Sequence, residues 1–172
     1  MRVFIEIQKF DQWWLRAGIL FVFAASVVPI AMSLPSNDTS DPVMWTVLLP
    51  VIIITGGLIF LVLFGLKLNT KIDDIGVHFN FFPFKRSPRT ISWSEIEKIY
   101  TREYSPIGEY GGWGYRGGFL RKGSVAYNVK GNKGIQLELK SGKKILIGTQ
   151  KQSEANTVIT YYTNKSETYD SL

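Results

Sequence analysis

Two long apolar runs near the start of the chain limit its fold more than any other feature. Ala17–Leu34 spans 18 residues and Val43–Leu66 spans 24, and residues 17–66 hold no Lys or Arg and only two acids, Asp38 and Asp41. As helices they would extend roughly 27 and 36 Å, against roughly 30 Å for the hydrocarbon core of a bilayer. The runs therefore predict a two-helix transmembrane hairpin over residues 17–66. Pro29 and Pro50 are tolerable inside such a bundle, and Trp13 and Trp14 suit a headgroup zone. Arg2, Lys9 and Arg16 precede the first run, Lys67 and Lys71 follow the second, and the connecting segment Pro35–Pro42 is acidic. That asymmetry predicts a multi-pass protein of the cell (inner) membrane with both termini cytoplasmic and the loop outside. Glu6 and Asp11 weigh against a cleaved signal peptide, and Asn37-Asp-Thr39 reads as a chance sequon beside the membrane.

Beyond Leu66 the character changes. Residues 67–172 carry seventeen Lys/Arg against ten Asp/Glu, a net of +7, so the basic balance of the chain belongs to its C-terminal part. A basic domain beside a predicted membrane hairpin favours anionic headgroups as partners over nucleic acid. The chain has no cysteine, which removes disulfides, thiol catalysis and cysteine-based zinc sites.

The C-terminal part alternates with a period of two. Val77–Phe81, Thr90–Trp93, Ile96–Tyr104, Ser124–Val129 and Ile135–Leu139 read as strands, with a turn at Asp74-Ile75-Gly76. The clearest hairpin is Gly134–Gly148. A three-residue loop Lys140-Ser141-Gly142, with Gly142 left-handed, would pair Leu137 with Ile145 and Ile135 with Ile147, gathering the apolar side chains on one face. After Gly148 the spacing turns helical. Thr149 and Gln152 suit a capping box, and Ala155, Val158, Ile159 and Tyr162 form one stripe. The expected fold class is thus a membrane α-helical hairpin plus a mainly-β PH-like roll of about seven strands with a C-terminal helix. The expected organisation is a cytoplasmic N-terminal segment 1–16, the hairpin 17–66, a PH-like β domain 67–165 and a tail 166–172.

The chain resembles a family of small bacterial two-span membrane proteins of unknown function with a bacterial PH-like cytoplasmic domain. The resemblance rests on Glu6-Ile-Gln8-Lys-Phe10 with Trp13-Trp14, on Thr70–Gly76 and on Ile91–Ile96. It continues through Glu109-Tyr-Gly-Gly-Trp-Gly114, Ala126-Tyr-Asn128 and Leu146–Gln150. It implies a fold and a membrane location, and supplies no activity or catalytic residues.

Two segments are candidates for binding. Lys85, Arg86 and Arg89 cluster in a connection that could hold phosphate by charge-assisted hydrogen bonds, or could be a solvated turn. Tyr110, Trp113, Tyr115 and Arg116 lie among glycines, in a loop that suits a contact surface or a wide bulge. Gly112–Gly117 matches G-x-G-x-x-G formally, but no helix pattern follows it, so a dinucleotide is not expected. His78 is the only histidine and reads as a satisfied imidazole on a polar strand face, and Asp73 and Asp74 would point to opposite faces. No nucleophile, metal set or acid pair is visible, so no enzyme, cofactor or metal is expected. The expected function is a membrane-tethered PH-like interaction module binding a protein partner or anionic lipid at the inner leaflet. The alternative is a structural subunit of a larger membrane complex, with the hairpin as its assembly element.

Overall fold

The computed structural model describes residues 2–11, 13–33, 46, 49–61, 65–82, 87–117 and 123–170. The chain divides into two units, Phe10–Leu66 on the one hand and Met1–Lys9 with Lys67–Leu172 on the other.

The unit Phe10–Leu66 holds α1 (Trp13–Ser33) and α2 (Leu49–Phe60). Ser26 and Thr55 return their hydroxyls to the carbonyls of Val22 and Val51, the usual resting place of a hydroxyl inside a helix. Large apolar side chains are exposed on both helices, with Phe21 at 74% and Ile54 at 69%. Among the described residues, however, no helix is long and apolar enough to cross a membrane. The 24-residue run expected as a second span contains a described helix of 12 residues, about 18 Å against a core of roughly 30 Å. The transmembrane hairpin, the multi-pass inner-membrane location and the cytoplasmic placement of the termini are accordingly corrected. The acidic loop Pro35–Pro42 and its sequon lie outside the described residues.

The second unit also corrects the expected seven-stranded PH-like roll. With the helices, its described residues make a mixed α/β arrangement of two sheets with nine strands. One sheet orders β1 (Phe4–Lys9), β2 (Lys67–Ile72), β3 (Gly76–Phe82) and β4 (Arg89–Ser92) side by side, all antiparallel. The other contains β5 (Ile96–Glu103), β6 (Gly114–Gly117), β7 (Ser124–Asn128), β8 (Lys133–Leu139) and β9 (Lys144–Gly148), in the order β5-β8-β9-β7-β6. Its β7–β9 pair is parallel. Among the described residues this unit adds a 3-10 turn (Trp93–Glu95), the single-turn α3 (Pro106–Tyr110) and the long C-terminal α4 (Gln152–Asp170).

The β8–β9 hairpin has the register that its apolar pattern demands. Leu137 pairs with Ile145 and Ile135 with Ile147, and all four are at most 2% exposed. Burial of that kind stabilises by about 2 kcal/mol per side chain. Gly142 is left-handed at φ 77° and its N–H donates to the Leu139 carbonyl, closing the three-residue loop. The β2–β3 turn is equally local. Asp73 N–H donates to the Gly76 carbonyl, and its carboxylate accepts from the N–H groups of Ile75 and Gly76. A Cβ on Gly76 would collide with the Ile91 carbonyl of β4, so only glycine fits there.

Helix α4 docks through the expected stripe, with Ala155, Val158, Ile159 and Tyr162 buried. Tyr162 stacks on Trp93, whose indole N–H donates to the Asp73 carbonyl. The helix start differs from the expected capping box. The Thr149 hydroxyl accepts from Lys151 N–H and donates to the Glu6 carboxylate, which also accepts from Gln150 N–H. Strand β1 thus supplies an acceptor beside the helix start, where orphan donors and the helix dipole favour a carboxylate.

Strand β1 inverts the usual pattern. Glu6 and Gln8 point inward at 6% and 3% exposure, while Ile5 and Ile7 face outward at 59% and 62%. Two contacts across the core hold these inward side chains: Gln8 Nε2 donates to the Gly148 carbonyl, and Glu6 binds Thr149.

Candidate functional site

The segment between β5 and β7 is built by a chain of local decisions. Ser105 takes an extended conformation and its Oγ accepts from Gly108 N–H at 3.1 Å, while Pro106 starts α3 at a position where no N–H is needed. Glu109 returns the favour by accepting from Ser105 N–H at 3.0 Å. A Cβ on Gly108 would lie 2.9 Å from Ser105 Oγ, which explains a glycine inside this single turn. Gly111, left-handed at φ 71°, ends the helix, with its own N–H and that of Gly112 donating to the carbonyls of Ile107 and Pro106.

Arg102 of β5 then ties α3 to the sheet. Its guanidinium grips the Glu109 carboxylate through two bonds of 2.8 and 3.1 Å, and its Nε donates to Gln136 of β8. Both partners keep about a quarter of their side chains exposed, and the Glu109 hydrogen bond holds the Arg102 guanidinium above its ordinary pKa. Beneath lies Tyr104, 5% exposed, edge-on to the Tyr110 ring at 6.0 Å. Burial pushes its phenol up to about 12, against an opposing hydrogen bond from Asn128 Nδ2 at 2.9 Å. Asn128 is fully buried, and its other amide atom accepts from Gly114 N–H at 2.8 Å. That one side chain therefore fixes both the floor of the site and the start of β6.

On this base the surface groups are held in order. Trp113 is half-buried, its indole N–H donating to the Gly131 carbonyl at 3.1 Å. Tyr115, opposite Tyr127 in the β6–β7 pair, lies 5.1 Å from the Tyr127 ring and stays 45% exposed. Arg116 is exposed, with Nε donating to the Trp113 carbonyl at 3.2 Å. Ile107, on α3, is 67% exposed. Family models, curated proteins and solved structures were compared with the chain, and none matches it.

Tyr110 packs on the sheet face that carries Tyr104, Ala126 and Leu146. Arg116, opposite Ala126, lies on that same face and binds the Trp113 carbonyl, whereas Tyr115, opposite Tyr127, points to the other face. Arg89 opens β4 in the other sheet, opposite Phe79, and among the described residues no hydrogen bond or ring contact links it to those side chains. Lys85 and Arg86 lie outside the described residues. Gly114–Gly117 of the glycine motif forms a strand, not a phosphate-binding turn before a helix. Sequence reasoning missed Arg102, Glu109, Asn128 and Ile107. The signal for part of it was present, since Ser105-Pro106 followed by Glu109 and then Gly111 is a start-and-stop signature for a short helix.

Two other polar groupings were weighed. His78 joins Asp73 through Nε2 and Thr90 through Nδ1, both at 2.9 Å, and Asp73 also binds Lys71 at 2.8 Å. Burial works against ionisation of Asp73, but the hydrogen bonds from Lys71, His78 and two backbone N–H groups outweigh it and hold the carboxyl well below its usual range. This cluster ties three strands and a turn together. A cleft of about 350 Å³ lined by Thr101, Lys133, Gln150, Gln152, Ser153 and Asn156 offers hydroxyl and amide groups and one cation. Among the described residues no group of His, Cys, Asp and Glu side chains is arranged to hold a metal ion.

Proposed function

We propose that the chain is a protein-interaction module whose contact surface is the segment Ile107–Arg116. The observation that supports it is an edge strand, β6, that exposes Tyr115 on one face and Arg116 on the other beside exposed Ile107, over a base held by bidentate Arg102–Glu109 and by Asn128. Tyr, Trp and Arg dominate binding hot spots, and a surface ordered before association loses less entropy on binding. With the membrane placement corrected, the reading concerns a protein partner. The family resemblance carries no activity, so the argument stands on this surface alone.

The paired substitution Tyr115→Ala with Arg116→Glu changes exposed groups and leaves Arg102, Glu109 and Asn128 in place. The native complex isolated from cells should lose its partner, seen as a drop in mass to that of the chain alone, with melting temperature unchanged. A complex of unaltered mass contradicts the proposal.

A second reading, a structural subunit of a larger complex assembled through α1 and α2, is favoured by the exposure of Ile53, Ile54, Leu58 and Phe60, all above 60%. It predicts the opposite dependence: Ile54→Lys breaks the complex and the pair at 115 and 116 does not.

A further inference from the structure

Strand β1 presents a second surface, independent of the one above. It is the outermost strand of its sheet, and among the described residues no strand pairs with its other edge. Its outward row is apolar, with Val3, Ile5 and Ile7 exposed by 44%, 59% and 62%. Exposed β-branched residues on an unpaired edge are the pattern that recruits another strand.

The charges beside that row state what kind of strand. Lys9 faces Lys67 directly across the β1–β2 pair, and neither ammonium makes an ion pair or hydrogen bond among the described residues. Opposed like charges destabilise a strand pair, so this juxtaposition costs free energy in the isolated chain. Lys71, opposite Ile5, adds a third cation to the same face, partly neutralised by Asp73 from the turn. Among the described residues the outward rows of the four strands contribute no carboxylate of their own. Glu6, the one acid of β1, is turned inward and held by Thr149 and Gln150.

We infer that the β1 edge binds an extended acidic peptide segment of a partner protein, which adds as a further strand. Its backbone pairs with β1, its apolar residues pack on Ile5 and Ile7, and a carboxylate on the same face neutralises Lys9 and Lys67. A second copy of the chain fits this face poorly, because its own β1 brings Lys9 and Arg2 to the rim instead of a carboxylate. The inference does not depend on the Ile107–Arg116 surface, so either can fail alone.

The probe is a short synthetic peptide of alternating valine and glutamate, titrated into the purified full chain, with its valine–lysine counterpart as control. Binding should be saturable, slow amide hydrogen exchange along Ile5–Ile7, and favour the glutamate peptide by about tenfold or more. The double variant Lys9→Glu with Lys67→Glu should reverse the preference, which separates lost recognition from lost folding. Equal binding of both peptides, absence of protection in β1, or a preference unchanged in the variant overturns the inference. So does a chain that binds anionic vesicles through Lys9 and Lys67 while ignoring the peptide.

Discussion

The Glu6 carboxylate accepts a hydrogen bond from the Thr149 hydroxyl at 2.6 Å, across 143 positions of sequence. Through it the first strand of the chain is joined to the start of the last helix. Because Glu6 is 6% exposed and Gln150 N–H also donates to it, its loss leaves two donors without their acceptor. Glu6→Ala should cost on the order of 2–4 kcal/mol, read by denaturant unfolding of the full chain, and Glu6→Gln should cost less because it keeps an acceptor. Removal of residues 1–9 without loss of stability would contradict the placement of β1.

Acid sensitivity should trace to Asp73. Its carboxyl is held well below the unfolded value of about 3.9, so the folded state binds protons less readily than the unfolded one. The stability this contributes is fully present above that unfolded value and is lost as pH falls below it toward the lower folded one. Unfolding free energy measured from pH 7 to pH 3 should therefore fall more steeply at the acid end in the parent chain than in Asp73→Asn. Parallel curves would mean that the Lys71 and His78 contacts do not hold Asp73 as described.

These two residues also illustrate how much could be read in advance. The β8–β9 register followed from the apolar faces of Ile135, Leu137, Ile145 and Ile147, because period two leaves one pairing that buries them together. The α4 stripe and the turn before Gly76 were legible for similarly local reasons. Strand β1 was not, since Glu6 and Gln8 face inward and Ile5 and Ile7 outward, and only partners at 148–150 make that arrangement favourable. Of the candidate site, the aromatics and Arg116 stood out by residue type. The Arg102–Glu109 grip did not, because it needs α3 to fold back on β5. The apolar runs misled for another reason: a run length counts residues, whereas the described helix inside the second run spans 12.

The Arg102–Glu109 pair should couple measurably. Charge-assisted bonds in a partly buried setting predict a coupling of about 1–2 kcal/mol in a double-mutant cycle of Arg102→Ala and Glu109→Ala. Arg102→Lys should recover little, because an ammonium cannot match both carboxylate oxygens and Gln136 at once. Additive effects would show that α3 is not held to β5 by this pair.

The most direct test of the interaction surface uses a photo-crosslinking residue placed at Tyr115, with a second placement at Lys143 in the exposed β8–β9 loop as control. Irradiation of living cells should join a protein partner to the chain at position 115 and not at 143. Arg116→Glu should abolish the product without changing the amount of chain. Equal crosslinking at both positions, or a product indifferent to Arg116→Glu, contradicts a contact surface at Ile107–Arg116.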